Sequence, residues 1–312
     1  MQLSKYFEDL FPRLNGEQAF ELYEDVKDKL PQGNFPAASF RKKSLLEVAD
    51  EVDTFVFDAF GVLNVGETTI DGAIQRIADL RALKKNVFVL TNAASYNKVD
   101  AFNKFEGLGF DFSENEIVSS RNAAEIALES FGADTLWGVA ATSKFNASEL
   151  PQKSIKLTDN VQDYDAADAF LFLSVQDWNA SRQTMLEKSL TGHKRPVIVA
   201  NPDIVAPRGD VFSTEPGYFG HRLMRLLDSD VQFHGKPFPS VFEIVENRLG
   251  RENMDPSRVC MVGDTLHTDV LGGAARGWKT ALVTDHGLFK GLDPNVYIDK
   301  SGIKPNWLVG SI

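Results

Sequence analysis

A chain of 312 residues and 34.6 kDa, 43% hydrophobic, can bury a sizeable core and has room for two modules of ordinary domain size, or for one domain carrying an insertion. Its 44 acidic residues against 33 basic ones give a formal charge of -11, which argues against nucleic acid or anionic lipid as a partner. No apolar run approaches the roughly 18 residues of a membrane span, and the polar start MQLSKYFEDLFPRLNG lacks the apolar stretch of a signal peptide, so a cytoplasmic protein is expected. The single cysteine, Cys260, lies in the apolar run Val259-Cys260-Met261-Val262 and reads as core packing in a reducing compartment.

In chain order, residues 3 to 48 carry helical spacing (Phe7, Leu10 and Phe11, then Phe20, Tyr23, Val26 and Leu30) broken at Pro31-Gln32-Gly33, which predicts an N-terminal helical extension. Thr54-Phe55-Val56-Phe57 is a short apolar run entering Asp58 and reads as a buried central strand. Ile74, Ile77, Leu80 and Leu83 then recur at helical spacing before a second buried run, Val87 to Leu90. A helix near 95 to 108, a short strand at Ile117-Val118 and a helix over 122 to 130 follow. Between 134 and 224 a separate alternation appears: Thr135 to Ala140, Ala169 to Leu173, a helix near 180 to 190, and Pro196 to Ala200. The first alternation resumes with a helix near 239 to 249, a strand over Arg258 to Val262, a helix near 267 to 276 and a strand over Thr280 to Val283. A parallel sheet interrupted by an inserted α/β module explains this order most simply.

Ligands of open parallel sheets bind at the carboxyl ends of the strands. Four segments end there in residues suited to phosphoryl chemistry: Asp58 in FVFDAFGVLN, Thr91 in FVLTNAAS, Lys236 in HGKPFPSVFEIV just ahead of a helix, and Asp264 in CMVGDTLHTD. Singly, each reads as a cap, a turn or a solvated lysine. Four such coincidences in the right order favour a shared site.

Together the strings DAFGVLN, TIDGA, VFVLTNAAS, ANPD, HGKPFPSVFE and MVGDTLHTDVLGGAARGWKTALV resemble the haloacid dehalogenase superfamily. The resemblance is strongest to its class IIA phosphatases, a branch that includes sugar-phosphate, pyridoxal-phosphate and nitrophenyl-phosphate phosphatases, and it covers about residues 50 to 290. It implies an α/β fold with a Rossmann-like parallel-sheet core (49–124 and 225–312) and a large α/β cap inserted between the second and third motifs (125–224). The helical extension (1–48) lies outside it. Spacing agrees on the cap: 33 residues separate Asp58 from Thr91, enough for one helix and one strand, whereas 145 separate Thr91 from Lys236.

By this resemblance Asp58 attacks phosphorus to give an aspartyl phosphate, which water then hydrolyses. Mg²⁺ would be held by Asp58, Asp264 and the backbone carbonyl of Phe60, with Asp269 supporting the ion directly or through an intermediary. Lys236 would neutralise Asp58 and the transferring phosphoryl oxygens, and Thr91 and Asn92 would contact the substrate beside it. Asn201 and Asp203, in the ANPD string, are further candidates for contact with the substrate, a small phosphorylated metabolite of the sugar-phosphate kind. His267 reads as a surface or helix-start residue, and Trp178, Tyr218 and Phe219 as core aromatics. A homodimer joined cap to cap would be in keeping with the same resemblance.

One departure matters. Phosphatases of the resembled family carry a second Asp two positions after the nucleophile, which protonates the leaving oxygen and later activates water; here that position is Phe60. A phenyl ring does neither, while the backbone carbonyl remains. Four functions stay open: a phosphatase that uses good leaving groups or borrows an acid such as His267, Asp203 or Asp177; a phospho-ligand-binding or regulatory protein; a dehalogenase-like hydrolase; and a phosphotransferase to another acceptor.

Overall fold

The computed structural model describes residues 7, 9–208, 211–228 and 230–312, and the chain divides into two compact units. One comprises Lys27–Thr91, Lys98–Ser119 and Lys236–Ile312. Its centre is a seven-stranded sheet in the order Phe40–Arg41, Trp307–Val309, Lys279–Val283, Val259–Gly263, Thr54–Phe57, Asn86–Thr91, Ile117–Ser119, every neighbouring pair parallel. A parallel sheet is covered on both faces, which is why the strand TFVF is buried at all four positions and carries no polar alternation. The chain runs outward from Thr54–Phe57 to Asn86–Thr91 and Ile117–Ser119, then resumes on the opposite side at Val259–Gly263. The reversal of strand order falls between Thr54–Phe57 and Val259–Gly263, so the crevice at their carboxyl ends is the switch point where such sheets bind ligands. Helix Ala73–Ala82 buries Ala73, Ile77 and Leu80; helix Pro239–Leu249 begins with Pro239 and ends at Gly250, whose φ of 77° suits a left-handed cap.

The other unit comprises Met1–Val26, Asn92–Asn97 and Ser120–Gly235. It holds a five-stranded parallel sheet, ordered Val231–Phe233, Val197–Val199, Ala169–Phe172, Trp137–Ala140, Ser154–Lys156, and a separate hairpin, Val205–Arg208 with Val211–Thr214. The resemblance implies a cap over 125–224; the unit itself reaches Gly235, because the strand Val231–Phe233 pairs with Val197–Val199. That edge strand has three residues, none fully buried, and so lacks the apolar run that marks a central strand.

The described residues among the first 48 fall in both units. Helix Gly16–Val26 groups with the cap-bearing unit: the Phe7 ring stacks on Tyr218 at 4.9 Å, and the Ile204 N–H donates to Tyr23 Oη at 3.2 Å. Residues 27 onward group with the other unit, where Phe40–Arg41 forms an edge strand and Leu45–Glu51 a 3₁₀ helix capped by Ser44. Among the described residues no helix is long and apolar enough to cross a membrane.

Candidate active site

Asp58 follows the last residue of strand Thr54–Phe57 and Asp264 follows Gly263 at the end of the neighbouring strand, so sheet register brings the two carboxylates to one end. Asp269 joins them from the helical segment Leu266–Val270 just after Asp264. One carboxylate oxygen from each of Asp58, Asp264 and Asp269 lies within 4.8 Å of the others. Lys236 enters from the residues ahead of helix Pro239–Leu249, and its Nζ is 2.6 Å from Asp58 Oδ1 and 2.7 Å from Asp269 Oδ1. The Lys236 and Asp269 side chains are 2% and 0% exposed, and that of Asp58 14%, so the nucleophile candidate is the member of the trio open to solvent.

Three carboxylates against one ammonium leave a formal charge of -2, confined in a buried space where repulsion is poorly screened. Burial first, then the charges of Asp58 and Asp269, push the Asp264 carboxyl well above the usual carboxylate range. An all-oxygen donor set with this charge deficit suits a hard divalent cation of the Mg²⁺ type. Hydrogen bonds orient the carboxylates: Asp264 Oδ2 accepts from the Leu288 N–H at 2.9 Å, Asp264 Oδ1 accepts from Thr265 Oγ1 at 3.1 Å, and Asp269 Oδ2 accepts from the Thr265 N–H at 3.1 Å.

Phe60 stands in the turn after Asp58. The turn closes when Gly61 adopts a φ of 77° and donates its N–H to the Asn64 carbonyl at 2.8 Å, and it leads into the small hairpin Asn64–Val65 with Thr68–Thr69. A Cβ at Gly61 would lie 2.7 Å from Asp264 Oδ2, so glycine is required there on both counts. Thr91 is the buried last residue of strand Asn86–Thr91.

Asn92, Asn201 and Asp203 form a second group, all within the cap-bearing unit. Asn92 Nδ2 donates to Asp203 Oδ1 at 2.8 Å, the Asp203 N–H donates to Asn201 Oδ1 at 3.0 Å, and Ser120 Oγ donates to the Asn92 carbonyl at 2.8 Å. The ANPD turn is therefore a hydrogen-bonded device rather than a loose loop.

Three residues depart from the sequence reading or escaped it. His267, read as a surface or helix-start residue, is fully buried in Leu266–Val270, because that segment packs inward beside the strand Val259–Gly263 rather than starting on the surface. Lys104, on helix Lys98–Gly107, was not singled out; it is half-buried, burial lowers its pKa, and the charges of Glu67 and Asp58 oppose that fall. Gly287 follows the strand Lys279–Val283, past the last expected motif, and lies against Asp264. Trp178, Tyr218 and Phe219 are buried core aromatics, and burial pushes the Cys260 thiol up and out of reach of ionisation.

A family model described as haloacid dehalogenase-like hydrolase matches residues 55–148, and a second, HAD-hydrolase-like, matches 233–293. The chain belongs to the haloacid dehalogenase superfamily. Its inserted α/β unit resembles the cap of that superfamily's class IIA, large-cap branch. It is 29% identical over 254 residues to phosphoglycolate phosphatase 2 of Arabidopsis thaliana, covering 75% of this chain and 83% of that one. A possible sugar phosphatase of this superfamily from Cytophaga hutchinsonii superposes with a TM-score of 0.77 at 23% identity, covering 88% of this chain and 98% of that one. A glycerol phosphate phosphatase from Mycobacterium tuberculosis, solved in complex with magnesium, superposes with a TM-score of 0.65 at 20% identity, covering 87% and 77%.

Proposed function

We propose that this superfamily member is a Mg²⁺-dependent phosphohydrolase of small phosphorylated metabolites that works through an aspartyl phosphate on Asp58. The observation that carries the reading is the Asp58 carboxylate, partly open to solvent and 2.6 Å from the Lys236 ammonium, beside a trio of carboxylates fit for a divalent cation. Asp58 Oδ attacks phosphorus, the bond from phosphorus to the ester oxygen breaks, and that oxygen leaves with its electron pair and takes a proton from solvent; water then attacks the same phosphorus, gives up a proton to solvent, and frees Asp58 and inorganic phosphate. The Lys236 ammonium offsets the charge of Asp58 and draws the phosphoryl oxygens toward it, while the Thr91 hydroxyl supplies a hydrogen bond at the neighbouring strand end. Asp58, Asp264, Asp269 and the Phe60 carbonyl would hold the cation, whose contribution is to offset the negative charge gathered as two anions meet. Asn92, Asn201 and Asp203 are proposed as substrate-contacting residues of the cap-bearing unit. Relatives named for phosphoglycolate, glycerol phosphate and sugar phosphate support a small, polar phosphoester.

Phe60 favours one second reading, a phospho-ligand-binding protein with little turnover, because the leaving oxygen lacks the usual proton donor. Phosphate release from p-nitrophenyl phosphate, phosphoglycolate, glycerol phosphate and sugar phosphates, with Mg²⁺ or EDTA, separates the two. Metal-dependent release supports the hydrolase; ligand-induced stabilisation without release on any ester supports the binder. Restoring the acid should sharpen the result. Phe60→Asp is expected to raise turnover of alkyl phosphates on the order of 10²-fold, and that of p-nitrophenyl phosphate much less, since nitrophenolate leaves without a proton. No gain on either ester class would mean that another residue already protonates the leaving group, and equal gains that the added carboxylate acts on the attacking water instead.

A further inference from the structure

Asp264 is held from outside the motifs that carry the chemistry. Two stretches of backbone close on its carboxylate. A Cβ built at Gly61 would lie 2.7 Å from Oδ2, and one built at Gly287 would lie 1.7 Å from Oδ2 and 2.5 Å from Cγ. No side chain fits at Gly287 unless Asp264 moves. The residue after it supplies the matching bond: the Leu288 N–H, buried, donates to Asp264 Oδ2 at 2.9 Å. Gly287 has a φ of 67°, the left-handed region that lets the chain leave strand Lys279–Val283 and fold back over the carboxylate within a few residues.

We infer that Gly287 and the Leu288 amide are positioning residues that fix the Asp264 carboxylate and thereby set the affinity of the site for a divalent cation. The inference rests on the functional reading above for the identity of the ion, and on geometry alone for the positioning. A carboxylate displaced by even an ångström loses its place in a small cation's shell, because Mg²⁺ tolerates little departure from octahedral geometry. The other oxygen of Asp264 is engaged as well, accepting from Thr265 Oγ1 at 3.1 Å.

A nearby glycine supplies the control. Gly291 has a φ of 77°, so an alanine there suffers the same kind of backbone strain, but no atom lies within 4 Å of its built Cβ. Binding of Mg²⁺ alone to the full chain, measured by calorimetry, is expected to weaken at least about tenfold in Gly287→Ala and to change less than about twofold in Gly291→Ala. Equal affinities of Gly287→Ala and wild type would overturn the inference, as would equal losses in the two variants, which would reduce the effect to strain. Should Gly287→Ala not fold, hydrogen exchange at Leu288 decides the matter without metal. The Leu288 amide is expected to exchange at least about tenfold faster in Asp264→Ala than in wild type, against unchanged exchange in the neighbouring strand Lys279–Val283. An unchanged Leu288 rate would overturn the positioning. Failure of the wild type to bind Mg²⁺ would count against the metal reading and leave this second result to decide the positioning.

Discussion

Asp58→Asn is expected to abolish metal-dependent phosphate release, with a loss on the order of 10⁴-fold or more, the scale seen when a covalent nucleophile is removed. The amide keeps the shape of the side chain and the hydrogen bond from the Ala59 N–H, at 2.7 Å from Oδ1 in the wild type, but it is not nucleophilic enough to displace an alkoxide from phosphorus. The fold should not suffer. Asp58 is one of three carboxylates crowded within 4.8 Å, and its charge is among the causes that raise the Asp264 pKa. Neutralising it relieves repulsion, while Lys236 keeps Asp269 as a partner at 2.7 Å. In EDTA the melting temperature of Asp58→Asn is therefore expected to equal or exceed that of wild type. Loss of activity together with a lower melting temperature would point to a structural role for Asp58 instead.

Lys236→Met should behave in the opposite way. The methionine fills a similar volume, but it strips a cation paired with both Asp58 and Asp269, leaving buried like charges with less to offset them. Breaking a buried pair by removing one partner costs about 3–5 kcal/mol. Turnover is expected to fall on the order of 10³-fold as well, since the same ammonium lies where phosphoryl oxygens would arrive. Mg²⁺ should restore part of the lost melting temperature and little of the activity, because a divalent cation offsets the stranded charge without replacing the ammonium. Full rescue of activity by Mg²⁺ would show that Lys236 serves only to balance charge.

The contrast between these variants indicates which parts of the molecule a single sequence exposes. Strand Thr54–Phe57 was legible because a central parallel strand is apolar on both faces, and its last residue announces where polar chemistry begins. The ends of Asn86–Thr91 and Val259–Gly263 were legible for the same reason. Short edge strands were not: Ser154–Lys156 is only partly buried along its length, Phe40–Arg41 is two residues long, and neither leaves a periodic trace. Trp307–Val309 is fully buried, but three residues in a chain end are too few to identify as a strand from their pattern. The N-terminal segment was read as one helical extension because Phe7, Phe20, Tyr23 and Val26 carry helical spacing; nothing in that spacing reveals that the chain changes units after Val26. At the site, residues with chemistry of their own could be named from their types and strand-end positions. Gly287 could not, since its importance lies in an absent side chain and is visible only once Asp264 stands beside it. Lys104 was passed over because a lysine on an amphipathic helix ordinarily faces water.

The central claim is that phosphorus is transferred to Asp58 before it reaches water. Its most direct test is an acid quench of the wild-type protein during turnover of a radiolabelled phosphoester with Mg²⁺, followed by digestion and mass analysis of the peptide carrying Asp58. The account predicts a phosphorylated Asp58 that is absent in Asp58→Asn and that lasts longer in wild type than in Phe60→Asp, because Phe60 leaves water without its usual activating carboxylate. Rapid phosphate release with no phosphoryl group on Asp58 at any time point would contradict it.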